Sequence, residues 1–167
     1  VRFFNPPFTV PIAGIWIKNL FASEDQVIPS HKWRDLREIS PSLIKAVRAG
    51  EDQRFISHHG FDFVEMNKAY QDILKNKRTR GASTITMQLV RLSRRGKPRT
   101  LGEKIVEMAM AVRTEISYSK PRILSMYSSN APFGGNVVGL DAAAWRYFGV
   151  SPQNLSWAEA ATLAVLP

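Results

Sequence analysis

The stretch Glu51-Asp52-Gln53-Arg54-Phe55-Ile56-Ser57-His58-His59-Gly60-Phe61-Asp62, followed by Gly81-Ala82-Ser83-Thr84-Ile85-Thr86-Met87-Gln88-Leu89, decides the reading of this chain. Ahead of it, Ser40-Pro41 offers an N-cap with proline in the first turn, and Leu43, Ile44 and Val47 recur at helical spacing until Gly50. Glu51 and Asp52 therefore stand at a helix end, and Ser83 or Thr84 caps a later helix through Leu92. Two carboxylates beside a helix N-terminus provide a general base, a second acid or charge partner, and N–H groups that favour an anion between them. That combination points to an enzyme.

The rest of the chain carries helical periodicity. A helix is predicted to start near Asp62, with Phe63, Met66, Tyr70, Ile73 and Leu74 on one face, ending in the basic loop Lys75, Lys77, Arg78 and Arg80. Arg94-Arg95-Gly96-Lys97-Pro98-Arg99 is a basic turn, after which Thr100 and Glu103 have the spacing of a capping box. On the helix that follows, Ile105, Met108, Ala109, Val112 and Ile116 are predicted to form the buried stripe. That sets Glu103, Glu107, Ala111 and Thr114 on the opposite side, toward a cleft or solvent. Further helices are predicted over Lys120 to Ser129, Leu140 to Phe148 and Ala160 to Leu166, the last behind a Ser156/Glu159 capping box. A turn is predicted at Pro132 to Asn136 and a stop at Gly149. The fold class is mainly α, with an N-terminal arm over residues 1–38 and one domain over 39–167.

Composition narrows the chemistry. With 44% hydrophobic residues in 167, the chain can bury a core, and a net charge of +9 favours polyanions, anionic lipid head groups or a phosphorylated substrate. The absence of cysteine removes disulfides, thiolate zinc sites and cysteine nucleophiles, and three histidines without metal-ligand spacing argue against a transition-metal site. The apolar arm, Phe3-Phe4, Phe8, Ile12 and Ile15-Trp16-Ile17, is broken by Pro6, Pro7 and Pro11 and has no run long enough to span a bilayer. It reads either as a membrane-surface segment below an upstream anchor or as an extended arm on the domain.

Taken singly these features are ordinary: an acidic pair at a helix end is usually a solvated cap, and the methionines at helical spacing are core filler. Together, Glu51 to Asp62 and Gly81 to Leu89 resemble the first two motifs of the family 51 peptidoglycan glycosyltransferases. Lys104-Ile105-Val106-Glu107 with Ala111 and Glu115 resembles the third motif, and Lys120 with Ile123-Leu124 and Tyr127 the fourth. Glu159-Ala160-Ala161 through Leu163-Ala164-Val165-Leu166-Pro167 resembles the fifth. Within the family, Arg99-Thr100-Leu101, Ala131 to Gly135 and Leu155 to Ala161 are most similar to the transferase domains of the penicillin-binding protein 1C group, which implies a transpeptidase domain after Pro167. Asn5-Pro6-Pro7-Phe8 is closer to the monofunctional transglycosylases.

The resemblance implies a lysozyme-like helical glycosyltransferase domain that polymerises lipid II into β-1,4 glycan strands, with inversion and release of undecaprenyl pyrophosphate. It assigns the general base to Glu51 and a second catalytic carboxylate to Glu107. Asp52 would raise the proton affinity of Glu51 by repulsion, Phe55 and His58 would shape the cleft, and Ser83, Thr84 and Gln88 would line the phosphate and sugar site. Arg91 and Lys104 are the candidates to take up charge on the departing pyrophosphate. Glu107 would orient Lys104 and the leaving group or help to hold a divalent ion, Mg2+ or Mn2+, the candidate cofactor at the donor pyrophosphate; no residue is assigned as a metal ligand outright.

The implied partners are lipid II, the growing glycan strand, an anionic membrane surface and cell-wall synthesis proteins, with no nucleic acid. The implied location is the bacterial inner membrane, with the domain facing the periplasm or cell exterior. Arg78, Arg80, Arg94, Arg95 and Lys97 would face anionic lipid or pyrophosphate, and Phe61, Phe63 or the arm would touch the bilayer. Two departures stand out. Glu103 replaces the usual arginine before the third-motif lysine, for which Arg99 or Arg113 would compensate. Ser128-Ser129 follows Tyr127 in place of Leu-Asn, so packing beneath the cleft is expected to differ. Two alternatives remain: a lysozyme-type glycan hydrolase, and a non-enzymatic basic module, which lacks the expected base-reading helix.

Overall fold

The structure, a computed structural model, describes residues 36–77, 81–94 and 96–167. Most of the expected arm, residues 1–35, lies outside the described residues, as do Arg78, Arg80 and Arg95 of the basic loops.

A 3-10 turn, Leu36–Glu38, leads into α1 (Pro41–Glu51), α2 (Phe63–Leu74), α3 (Ile85–Ser93), α4 (Leu101–Ser117), α5 (Lys120–Asn130) and α6 (Leu140–Phe148). A second 3-10 turn, Pro152–Asn154, precedes α7 (Trp157–Ala164). Among the described residues, the one isolated β bridge pairs Pro132 with Val138 and closes the predicted glycine turn. The mainly α expectation holds.

The start signals read from sequence are mostly in place. Asp62 accepts from the N–H groups of Val64 and Glu65 at 2.8 and 3.2 Å and opens α2. Thr84, rather than Ser83, caps α3 by accepting from Met87 N–H at 3.2 Å, and Ser156 and Glu159 complete a reciprocal capping box on α7. Two signals are diverted. Ser40 occupies the N-cap position of α1, but its hydroxyl donates to the Leu155 carbonyl at 3.2 Å, tying the domain's two ends together. Thr100 accepts from Glu103 N–H at 3.1 Å, yet the Glu103 carboxylate turns to Arg94, so that box is half made.

The core is built around α5, whose residues 123–129 are all buried. Against it pack Phe55, Leu89, Phe133, Leu140 and Leu163, while α1 lies along α7 through Leu43 and Val47. Burying apolar groups on every side of one helix is the main stabilising contribution of such an arrangement. Ser128 and Ser129, the departure in the fourth motif, are buried with this core. The chain approaches them closely: a Cβ on Gly139, whose φ is +86°, would stand 2.6 Å from the Ser129 carbonyl oxygen.

Two amphipathic helices are oriented differently from the sequence reading. In α4 the buried residues are Glu107, Ala111 and Thr114, while Leu101, Ile105, Val106 and Ile116 are exposed, Ile116 at 82%. Of the expected stripe, Ile105, Ala109 and Ile116 face outward while Met108 and Val112 are half-buried, so the inner face is the one centred on Glu107 and Ala111. The polar face of α4 is needed as a wall beside α3, with Thr114 satisfied by the Met110 carbonyl at 2.8 Å. In α2 no residue is buried, and Phe63, Tyr70, Ile73 and Leu74 are exposed. Phe61 anchors its base by stacking edge-on against Phe63, with centroids 4.7 Å apart, and by joining Met108 and Met110 beside the small Met87–Val90–Ala111 cluster.

Candidate active site

Glu51 is the last residue of α1 and half-buried. Gln88, one turn into α3, donates from Nε2 to Glu51 Oε2 at 2.6 Å. Among the described residues nothing bonds Glu51 Oε1, which leaves one carboxylate oxygen to accept a proton. Behind Gln88, the Tyr127 hydroxyl of α5 donates to Gln88 Oε1 at 3.1 Å. Burial, with the negative charge of Glu51 adding to it, pushes the Tyr127 phenol well above its ordinary value, so it is a donor at any working pH.

Asp52 points away from this line. Its carboxylate accepts from Ile85 N–H, the first residue of α3, at 3.0 Å and meets His58 Nε2 at 2.9 Å, and both side chains are nearly inaccessible. A carboxylate at a helix N-terminus is stabilised by the free N–H groups and the helix dipole. Asp52 therefore fastens the end of α1 to the start of α3 and sets the position of Glu51 relative to Gln88. Phe55 and His58, expected to shape the cleft, are buried behind it, because the loop 52–62 folds inward to make these contacts.

A second tie holds that loop. Lys120 Nζ donates to the His58 carbonyl at 2.6 Å and to Glu115 Oε1 at 2.8 Å, and lies 4.4 Å from the centroid of the Phe55 ring. Glu115 Oε1 also accepts from Thr86 at 2.5 Å. Gly60 completes the junction. Its carbonyl accepts from Thr84 at 2.6 Å, and at φ +104° a Cβ there would meet Val112 N at 2.8 Å. At the same corner, burial opposes ionisation of Asp62. The N–H bonds from Glu65 and Val64 and the charge of Arg54, an ion pair at 2.9 Å, outweigh it and hold the carboxyl below its ordinary value.

Two depressions flank this frame. The larger, about 940 Å³, is lined by Glu51, Asp52, Gln53, Glu65, Lys68, Asp72 and residues 81–84. The smaller, about 320 Å³, is lined by Arg91, Arg99, Thr100, Leu101, Glu103, Lys104 and Glu107. They meet at one hydrogen bond, from Lys104 Nζ in the smaller to Ser83 Oγ in the larger at 3.1 Å. The base thus lies on an acidic, carboxylate-rich side and three cations on the other. Glu107 is buried and faces Arg91 at 3.8 Å, an ion pair without hydrogen-bond contact.

The carboxylate at position 103 is paired by Arg94, while Arg99 lines the cationic depression beside Lys104 and Arg113 does not. Arg94 Nε donates to Glu103 Oε1, a bond that holds the Glu103 carboxyl below and the Arg94 guanidinium above their ordinary values. Sequence reading missed this pair, the Tyr127–Gln88 bond and the Lys120–Glu115–Thr86 tie. The Tyr127–Gln88 and Thr86–Glu115 bonds join positions far apart in sequence, whereas Arg94/Glu103 and Lys120/Glu115 were charge complements open to notice. Among the described residues no group of three or more histidine, aspartate or glutamate side chains converges to hold a metal ion. Around Glu107 the lining of the smaller depression carries Arg91, Arg99 and Lys104 together with Glu103.

The assembled residues can take a proton at Glu51 and receive an anion at Lys104, Arg91 and Arg99, across a wall made by Ser83. Residues 18–167 match the family described as Transglycosylase, beginning upstream of Ile39, where the domain was placed from sequence. The chain is 38% identical to a biosynthetic peptidoglycan transglycosylase of Xanthomonas campestris pv. campestris over 168 residues, covering all of this chain and 68% of the relative. It is 37% identical to the protein of the same name from Caulobacter vibrioides, covering 99% of this chain and 69% of that one. With penicillin-binding protein 1C of Escherichia coli the identity is 42% over 139 residues, covering 81% of this chain and 18% of the relative.

Proposed function

The chain belongs to the transglycosylase family, and from that premise we propose that Glu51 is the general base of a peptidoglycan glycosyltransferase working on lipid-linked disaccharide. The enzyme is mainly helical with a lysozyme-like fold, and it joins glycan units rather than cutting them. The observation that carries the mechanism is the separation of one open carboxylate oxygen from three cations by the Lys104–Ser83 bond.

In the reaction, the acceptor sugar hydroxyl enters the larger depression and its proton passes to Glu51. The freed oxygen attacks the anomeric carbon, the bond from that carbon to pyrophosphate breaks, and the configuration inverts. Charge grows on the departing diphosphate, where Lys104, Arg91 and Arg99 meet it. Glu107 holds Arg91 toward that anion, and Ser83 holds Lys104. The products are a lengthened β-1,4 glycan and undecaprenyl pyrophosphate.

A lipid-linked substrate has to be collected at a bilayer. The exposed apolar faces of α2 and α4 and the cations Lys97 and Arg99 supply a surface suited to an anionic leaflet. No helix among the described residues is long and apolar enough to cross a membrane. Incubation with purified lipid II tests the reading: glycan polymer and released undecaprenyl pyrophosphate are expected, and shortening of preformed glycan without polymer would overturn it.

A further inference from the structure

We propose that Tyr127 is a positioning residue for the base, acting through Gln88 to keep an amide N–H, and never the amide oxygen, against Glu51. The inference rests on the assignment of Glu51 above and adds a residue that never touches substrate.

The geometry leaves little choice of orientation. Gln88 lies between a carboxylate, which only accepts while ionised, and a buried phenol. With Glu51 charged, the amide NH2 must face it, and Oε1 must face Tyr127. The difficulty arises after proton transfer, when Glu51 becomes a carboxylic acid able to donate. A turned-over Gln88 could then accept from it, and the base would be held in its spent form.

Tyr127 opposes that turn. Its side chain is 1% exposed, and the Gln88 oxygen is its hydrogen-bond acceptor among the described residues. Turning the amide would take the acceptor away from the hydrogen of a buried phenol, at the cost of an unmade hydrogen bond. Because burial keeps the phenol protonated, this restraint works throughout the useful pH range. The chain of contacts runs from the core helix α5 through α3 to the end of α1, so the base inherits its orientation from the most deeply buried helix of the domain.

The test is steady-state kinetics on lipid II with the whole chain, for Tyr127→Phe, Gln88→Ala and the double variant. Tyr127→Phe is expected to lower kcat roughly 10- to 100-fold with KM nearly unchanged. The double variant is expected to match Gln88→Ala within about twofold, because the tyrosine has nothing left to act through. A kcat near that of the wild type for Tyr127→Phe, or losses that multiply in the double variant, would overturn the proposal. A wild-type chain that makes no polymer would instead overturn the assignment of the site itself. Side-chain amide NMR of the wild type is independent of turnover and of whether the variants fold. Gln88 is expected to show NH2 protons protected from exchange, and freely exchanging protons would refute the clamp.

Discussion

Arg94 closes on Glu103 across the turn between α3 and α4, and its Nη1 also reaches the Met110 sulfur at 3.6 Å. The pair neutralises a carboxylate that lines the cationic depression, leaving Arg91, Arg99 and Lys104 to set its potential. Arg94→Ala should therefore expose that negative charge to the incoming diphosphate and raise KM for lipid II about fivefold at low salt. Adding Glu103→Ala should restore most of the loss, and a double variant no better than Arg94→Ala would show that Arg94 acts some other way.

Removing the base is the sharpest test of the chemistry. Glu51→Gln keeps the shape and a polar contact to Gln88, so the melting temperature should stay within a few degrees. Turnover of lipid II should fall by about 10²- to 10⁴-fold. Normal turnover in this variant would exclude Glu51 as the proton acceptor.

Lys120 and Glu115 form an inward pair, with side chains 18% and 4% exposed. Lys120→Ala strands the Glu115 carboxylate and frees the His58 carbonyl, which should destabilise the domain by about 3–5 kcal/mol in denaturant titration. Lys120→Met with Glu115→Gln leaves no buried charge and should recover a large part of that loss.

Acid should loosen the corner at Asp62 only below the ordinary carboxylate range. Its folded carboxyl titrates below the ordinary 3.8, so the stabilisation is fully present above that value and is lost as pH falls through the lowered one. Asp62→Ala should cost about 1–2 kcal/mol at neutral pH through the lost cap of α2. Its thermal stability should also fall less steeply than the wild type's at the acid end, which melting curves taken from pH 6 downward would reveal.

Much of the fold was legible because caps and stripes are local. Asp62, Thr84, Ser156 and Gly149 mark helix ends through bonds spanning a few residues, and those marks hold. What periodicity could not reveal was direction. The stripe of α4 is real, but a moment along a helix says only that two faces differ. Here the face carrying Glu107 is the inner one, because the wall beside α3 is polar. The same limit applies to the site. Glu51, Lys104 and Gln88 were found by motif, whereas the actual partners of Asp52 and Glu103 depend on where distant loops fold back.

The unburied α2 lines one side of the depression that holds Glu51, contributing Glu65, Lys68 and Asp72. A helix that supplies nothing to the core can unravel at small cost to the whole. Its amides should exchange with solvent orders of magnitude sooner than those of α5, even while Glu51 stays fixed. The protein thus has a soft bank opposite a hard one, and movement of the former need not be carried to the latter.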